Sequence, residues 1–475
     1  MPDAHTNSTS SNQFGAGVDL HLELAGSRRR AGLTDALRDA VRQGRLTPGT
    51  RLPASRALAA DLGVSRSTVT ECYSQLIAEG WLTAQQGSGT RVSQRANPRS
   101  TTVETQASRV LRRPTHGLLP GAADFAEFPR TQWLAAARRA LITAPHSAFG
   151  YGDPLGRIEL RAALADYLSR VRGVYAEPER IVICSGFHHG LTLVAQALKE
   201  QGAQAIAVEA YGLSLYRALL NDVGLRIPPL VVDENGARTC DLGAMRDVSA
   251  VLLTPAHQFP TGVALSPQRR ASVLDWARTT DGLILEDDYD GEFRYDRKPI
   301  GALQGLDPDR VLYFGTASKS LAPALRVAWI VVPKNLLSLI AEAKGRVETV
   351  SALEQLTLAE FITSGAFDRH VRSRRQSYRR RRDDLVTALK QTAPTVRVTG
   401  MAAGLQAVLE LPQGTESWVL QAAANKGLMV SGMGEFRHPM LDRHFTAQDA
   451  LVVNYSAVSD SAWEGALHAL CSVMP

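Results

Sequence analysis

The stretch GTASKSLAPALR, residues 315–326, sets one lysine, Lys319, among glycine, alanine, serine and threonine, with Pro323 and Arg326 behind it. Small neighbours let a ligand come close to the amine. The run that leads into it, VLYFGT at 311–316, is β-branched and aromatic and predicts a strand. Five further runs of this kind flank it: RIVIC at 180–184, AIAVE at 205–209, VSAVLLT at 248–254, GLILEDDY at 282–289 and VAWIVVP at 327–333. Helical patterns separate them. Apolar strands alternating with helices predict an α/β fold with a mostly parallel sheet covered on both faces. In such sheets ligands bind at the carboxyl edge of the strands, where Lys319 falls.

Other chemistry-bearing residues stand at the ends of the same runs. EDDYDGEF at 286–293 offers Asp287 and Tyr289, two apart and on one face if the strand continues. IVICSGFHHGLTLVAQAL at 181–198 passes from a strand through Ser185 and Gly186 into a helix near Phe187. Free N–H groups at such a turn hold phosphate. Tyr211 follows AIAVE, and Thr316, Ser318 and Arg326 surround Lys319. Alone, each has an ordinary reading. An acidic loop is solvated, Ser-Gly caps a helix, a tyrosine packs, and a lone lysine lies on the surface. Together they supply what pyridoxal 5′-phosphate (PLP) requires: an amine for its aldehyde, a carboxylate for its pyridine nitrogen, a phosphate cradle and a flat ring partner.

The N-terminal quarter differs in charge. Residues 1–116 hold 15 Arg, no Lys and 9 acidic residues, so the whole net charge of +6 lies there. Arginine excess at one end points to a polyanion. Residues 21–93 read as a small domain. LTDALRDAVRQG at 33–44 is helical by its spacing, ASRALAADLG at 54–63 stops at Gly63, and VSRSTVTECYSQLIAEG at 64–80 begins at a capping Ser65. Two helices about a tight Gly63–Val64 turn predict a helix-turn-helix, and WLTAQQGSGTRVS predicts a hairpin wing. The second helix of such a unit offers its first residues, here Ser65, Arg66, Ser67 and Thr68, to the major groove. Residues 1–20 read as a disordered lead-in without a signal peptide, and 94–116 as a Ser-, Thr-, Arg- and Pro-rich linker. No apolar run reaches the roughly 18–20 residues of a membrane span. The four scattered cysteines argue against a metal site or disulfide framework and fit the cytoplasm.

The N-terminal stretch resembles the winged helix-turn-helix of the GntR family through RLPASRALAADLGVSRSTV (51–69), LIAEGWL (76–82) and QGSGT (86–90). The resemblance implies DNA contacts from Arg56, Ser65, Arg66, Ser67, Thr68, Gln86 and Gly87. Residues 117–475 resemble fold-type I PLP-dependent aminotransferases through YGDPLGRIELRAALADYL, SGFHHGLTLVAQAL, TPAHQFPTG, EDDYDGEF and GTASKSLAPALR. This implies a large sheet domain with a smaller C-terminal α+β subdomain. It also implies a Schiff base from PLP to Lys319, with Asp287 at the pyridine nitrogen and Tyr289 at the ring oxygen. Tyr211 would stack on the ring, and Ser185, Gly186, Phe187, Thr316, Ser318 and Arg326 would surround the phosphate.

Both halves in this order resemble the MocR/GabR group of bacterial transcriptional regulators, which implies a head-to-tail homodimer reading repeated half-sites of double-stranded DNA. Two departures stand out. The strand ALVVNYSAV at 450–458 carries no arginine where aminotransferases clamp the substrate carboxylate. Phe259 stands where many carry an asparagine that touches the cofactor, leaving His257 and Gln258 as substitutes. The first departure favours sensing over transamination, with PLP itself as the signal; SGFHHGLTLVAQALKE and TPAHQFPTGVALSPQRR resemble regulators of vitamin B6 biosynthesis. The alternatives are an amine or amino-acid signal, a working aminotransferase with an added DNA-binding domain, and a regulator that no longer binds PLP. RRQSYRRRRDD at 374–384 reads as a solvated or subdomain-junction helix face rather than a second DNA site.

Overall fold

The computed structural model describes residues 29–85, 89–94, 116–121, 124–295, 300–346, 349–441 and 448–475. The chain divides between residues 110 and 111 into two compact units.

In the first unit, α1 (Arg29–Arg42), α2 (Ser55–Leu62) and α3 (Arg66–Ala78) precede strands β1 (Leu82–Gln85) and β2 (Gly89–Val92), which pair antiparallel. Gly63 ends α2 in the left-handed region at φ 62°, which an L-residue with a Cβ would adopt only at a cost. Ser65 caps α3, its hydroxyl accepting from Thr68 N–H at 3.1 Å. Leu33, Leu37, Leu58, Val69 and Leu76 fill one small core. Arg38 bridges to Glu79 at 2.8 Å and so ties α1 to the end of α3. Helix α1 begins four residues before the stretch LTDALRDAVRQG.

The second unit is built on a seven-stranded sheet. In chain order its strands are β3 (Ile181–Cys184), β4 (Ala205–Glu209), β5 (Pro229–Leu230), β6 (Val248–Leu253), β7 (Leu283–Asp287), β8 (Val311–Thr316) and β9 (Ala328–Val331), arranged β3-β9-β8-β7-β6-β4-β5. Six run parallel; β9 runs antiparallel between β3 and β8. The cause is chain length. Only residues 317–327 join β8 to β9, too few for a parallel crossover, which needs about a dozen or more. The chain therefore folds straight back, and the returning loop is the one that holds Lys319. In chain order its helices are α4 (Arg130–Thr143), α5 (Ile158–Arg172), α6 (Phe187–Glu200), α7 (Ser214–Asp222), α8 (Pro267–Thr280), α9 (Leu337–Lys344) and α10 (Ala352–Thr363). Of these, α5, α6 and α8 cover the sheet, whose strands are almost wholly buried.

A 27-residue helix, α11 (Ala366–Thr392), leads to a smaller antiparallel sheet of β10 (Arg397–Thr399), β11 (Gln406–Glu410), β12 (Ser431–Gly432) and β13 (Ala450–Asn454), in the order β10-β11-β13-β12. The arginine run on α11 splits by face. Arg375 donates to Glu292 O, and Arg381 donates to Asp460 and to the carbonyls of Tyr455 and Val458. Arg379 and Arg380 are exposed. Part of the run is thus a junction between the subdomains, and the remainder is a solvated face. The segment 116–118 returns to the small subdomain, His116–Gly117 pairing with Leu428–Met429. All four cysteines are unpaired, and among the described residues no helix is long and apolar enough to cross a membrane.

Candidate functional site

The strand ends of the large sheet open into a cleft lined on the sheet side by Lys319, Asp287, Tyr289, Tyr211, Glu209 and Thr254. The other subdomain contributes Gln406 and Asn454. Because β9 is antiparallel, the residues just before it lie at the same edge as the ends of β3 and β8: Ala328 pairs with Thr316 and with Cys184. That register brings Arg326 to the Ser185–Gly186 turn, 141 residues earlier in the chain.

Lys319 Nζ donates to Gly121 O at 3.3 Å. Burial pulls its amine below the ordinary value, while Asp287 and Asp290 act the other way. Asp287 is 4% exposed, and its carboxylate has no hydrogen-bond partner among the described residues. Burial, then Asp288 and Asp290, push it well above the usual carboxylate range, and Lys319 opposes the rise. Its neighbour Asp288 is satisfied, by a two-pronged ion pair with Arg172 (2.7 and 2.9 Å) and by the Tyr313 hydroxyl. Strand β7 stops at Asp287, so Tyr289 reaches the cleft from the following turn rather than from a continued strand.

Gly186 precedes α6 with φ 86° and no side-chain cap. A Cβ there would lie 2.7–2.9 Å from the Arg326 guanidinium, so glycine is what lets the arginine reach across. Arg326 Nη2 donates to Ser185 O at 2.7 Å, and Arg326 is itself left-handed at φ 52°. The Thr316 hydroxyl accepts from Ser318 N–H at 3.1 Å and donates to the Ser318 hydroxyl at 3.0 Å. Phe187 packs on Tyr216 and Phe314, ring centroids 4.6 and 4.9 Å apart. Ser185, Gly186, Thr316, Ser318 and Arg326 thus converge on one polar recess beside the start of α6, while Phe187 turns into the core. A helix start with free N–H groups and an arginine is an anion site.

Residues 119–470 match the family described as "Aminotransferase class I and II", and residues 30–92 match "Bacterial regulatory proteins, gntR family". The HTH-type pyridoxine biosynthesis transcriptional regulator PdxR of Corynebacterium glutamicum is 33% identical over 411 residues, covering 85% of this chain and 88% of that protein. The probable rhizopine catabolism regulatory protein MocR of Rhizobium meliloti is 30% identical over 469 residues, covering 93% and 92%. The fold is shared with a solved archaeal alanine:glyoxylate aminotransferase, at a TM-score of 0.68 and 25% identity over 76% of this chain and 90% of the other. The chain belongs to the MocR/GabR group of GntR-type transcriptional regulators.

The cleft of this regulator fits the cofactor that aminotransferases of this fold use. A buried carboxylate without a partner faces the space where a protonated pyridine nitrogen would lie. The Gly186 turn leaves room that a Cβ would fill. Lys319 is held among small residues within the same cleft. Several contributors went unforeseen. Gly121, Gln406 and Asn454 come from distant parts of the chain, and Glu209 reads as the last residue of an ordinary strand. Glu209 Oε2 accepts from Thr254 and Gln258, and burial pushes its carboxyl up to about 7. Of the two suggested substitutes for a cofactor-touching asparagine, Gln258 turns to Glu209 and the backbone, while His257 contacts Tyr289.

In the DNA-binding unit of the regulator, Arg56, Ser65, Arg66 and Ser67 are exposed and Thr68 is half-buried. The Ser65 hydroxyl sits 2.7 Å from those of Ser67 and Thr68, so the start of α3 forms one hydroxyl cluster. Arg56 and Arg66 make no side-chain bond among the described residues, unlike Arg38. Gln86 and Gly87 lie outside the described residues.

Proposed function

We propose that this regulator binds PLP in the cleft, joined as a Schiff base to Lys319, and controls genes of vitamin B6 synthesis in response to it. The observation that carries the reading is the contrast across the cleft. A complete set of groups for PLP faces an opposite side with no arginine on Ala450–Asn454; there Val452, Val408, Met433 and Phe436 pack behind Phe259 and Leu213. When bound, PLP supplies an aldehyde that condenses with a primary amine. Lys319 would hold it covalently and Asp287 would keep the pyridine nitrogen protonated. Tyr289 would donate to the ring oxygen and Tyr211 would stack on the ring. Arg326, Thr316, Ser318 and the Ser185–Phe187 backbone would hold the phosphate. The relative named for pyridoxine biosynthesis supports the target.

The DNA contacts would come from Arg56, Ser65, Arg66, Ser67, Thr68, Gln86 and Gly87, on repeated half-sites read by a cytoplasmic homodimer. Support for a second copy is an exposed apolar set, with Leu134 69% and Ile142 72% exposed on the helix Arg130–Thr143 and Phe149 and Tyr151 nearby. A second reading, an amine or amino-acid signal, is favoured by one feature. Arg217 lines the cleft, is buried, and among the described residues is held only by the carbonyls of Gly212, Phe436 and Arg437.

The test is a fluorescence-anisotropy titration of full-length protein onto DNA from upstream of its own gene and of PLP-synthesis genes, with and without PLP. PLP should shift the binding midpoint by about tenfold for the wild type and by less than about twofold for Lys319→Ala. Visible absorbance without any shift would sink PLP sensing. No absorbance at all would sink PLP binding.

A further inference from the structure

His257, in the loop after β6, sits under Tyr289 and outside the groups that the strand ends supply. It is 4% exposed and its neighbour Asp290 3%. His257 Nδ1 lies 2.7 Å from Asp290 Oδ2 and 3.1 Å from the Tyr289 hydroxyl. The same hydroxyl accepts from Gln406 Nε2 at 3.2 Å. The packing has no slack. A Cβ on Gly404 would lie 2.2 Å from the imidazole and 2.7 Å from Asp290, and one on Gly262 would lie 3.3 Å from Nε2.

Two features fix the imidazole proton. An ionised Asp290 only accepts, so the nitrogen facing it carries the hydrogen. Nε2 has no partner among the described residues, and a hydrogen placed there would be a buried unpaired donor. With Nδ1 protonated, His257 cannot accept from the phenol. Gln406 already donates to the phenol oxygen. Asp290 is the other acceptor beside the phenol, but its carboxylate already takes the Nδ1 hydrogen at 2.7 Å. With the pair in place the hydrogen of Tyr289 is left to the cleft.

We propose that the His257–Asp290 pair is a positioning device that aims the Tyr289 O–H at the ring oxygen of the bound cofactor. It does so where Phe259 replaces an amide that could have donated there; the Phe259 ring instead stands edge-on to Tyr289, centroids 6.1 Å apart. The titratable groups facing the Tyr289 hydroxyl are Asp287 and Asp290 from its own segment, His257 from the loop, Tyr455 from beyond β13, and Lys319 across the cleft. The device rests on the reading that PLP is bound at Lys319.

The test is a pH titration of the visible absorbance of PLP-loaded full-length protein. A donor on the ring oxygen stabilises its anion. The proton held between that oxygen and the nitrogen of the Lys319 linkage then leaves at lower pH. His257→Ala frees the phenol. Asp290→Ala removes the acceptor that holds the imidazole hydrogen at Nδ1, so Nδ1 becomes free to accept from the phenol. Each should raise the midpoint by about one pH unit, a tenfold change. Tyr289→Phe should raise it too, and adding His257→Ala to Tyr289→Phe should raise it no further. An equal shift in both backgrounds would show that His257 acts by another route and overturn the inference. So would unshifted midpoints in His257→Ala and Asp290→Ala while Tyr289→Phe shifts. Should His257→Ala fold poorly, Asp290→Ala, which leaves the imidazole in place, carries the same comparison. A wild type without visible absorbance overturns the PLP reading instead.

Discussion

On one side of the cleft the large sheet presents a half-buried Lys319 and the buried Tyr289 and Asp287, the carboxylate of Asp287 having no hydrogen-bond partner among the described residues. On the other side Val408, Met433, Phe436 and Val452 of the small subdomain pack against one another and against Leu213 and Phe259. Buried polar groups without partners cost stability, and apolar clusters supply it. At Asp287 the sheet side therefore keeps a destabilising arrangement that pays off only with a ligand present, whereas the apolar cluster opposite is ordinary core. A chain that needed to clamp a substrate carboxylate would carry its cost on both sides. This chain carries it on one, which fits capture of an aldehyde cofactor better than turnover of amino acids.

The comparison breaks if the two sides respond alike to substitution. Phe436 is 4% exposed and stands edge-on to Phe259, centroids 5.1 Å apart and planes at 89°. Phe436→Ala should destabilise the large unit by about 3–5 kcal/mol, the usual cost of emptying a buried aromatic site. Chemical denaturation followed by tryptophan fluorescence measures it. The visible absorbance of PLP added to the folded variant should persist. Lys319→Ala should do the reverse, losing that absorbance without a comparable loss of stability.

The next effect comes from the sheet side and from pH. The Glu209 carboxyl, pushed up by burial to about 7 against an ordinary 4.5, prefers its proton in the folded protein. Stability from this group is fully present below pH 4.5 and is lost as pH rises through about 7. At 1.36 kcal/mol per unit the loss is on the order of 3 kcal/mol. Glu209→Gln keeps an oxygen for Thr254 and Gln258 and removes the charge. Its stability relative to the wild type should be near zero at pH 4.5, grow up to pH 7, and level off above. A flat difference across that range would mean that Glu209 is not a strained group of the cleft.

Much of the sheet side was legible in the sequence because strand ends are local features. A β-branched run, a break and a lysine or aspartate are all visible within a dozen residues. The antiparallel β9 was legible in principle too, since the ten residues between VLYFGT and VAWIVVP leave no length for a crossover helix. The two-residue edge strand Pro229–Leu230 was not, because so short a segment has no period to read. Gln406, Asn454 and Gly121 were hidden for another reason. They reach the cleft through the folding of one subdomain against the other, and residues 80 or more positions from the GTASKSLAPALR loop leave no pattern in a window of sequence. His257 lay between these cases. Its loop was noticed, but which of His257 and Gln258 would meet Tyr289 depended on side-chain direction, and only the folded loop decides that.

The smallest expected effect probes how the sheet side holds the phosphate end. Alanine at Gly186 meets two obstacles, the left-handed φ of 86° and the Arg326 guanidinium 2.7–2.9 Å from the new Cβ. The backbone strain acts on folding and is of order 1 kcal/mol. The clash is relieved at little cost, because the atoms in the way are the free end of a long side chain. The relief moves Arg326 off the Ser185 carbonyl and away from the recess beside the start of α6. Gly186→Ala should therefore fold with a small loss of stability and bind PLP about tenfold more weakly, as one displaced charge-assisted contact predicts. The cause is separable. In an Arg326→Ala background the clash is gone, so Gly186→Ala should then change PLP affinity by less than about twofold. If the tenfold loss persists there, the glycine serves the backbone N–H groups of the turn directly, and the arginine is a bystander at the phosphate end.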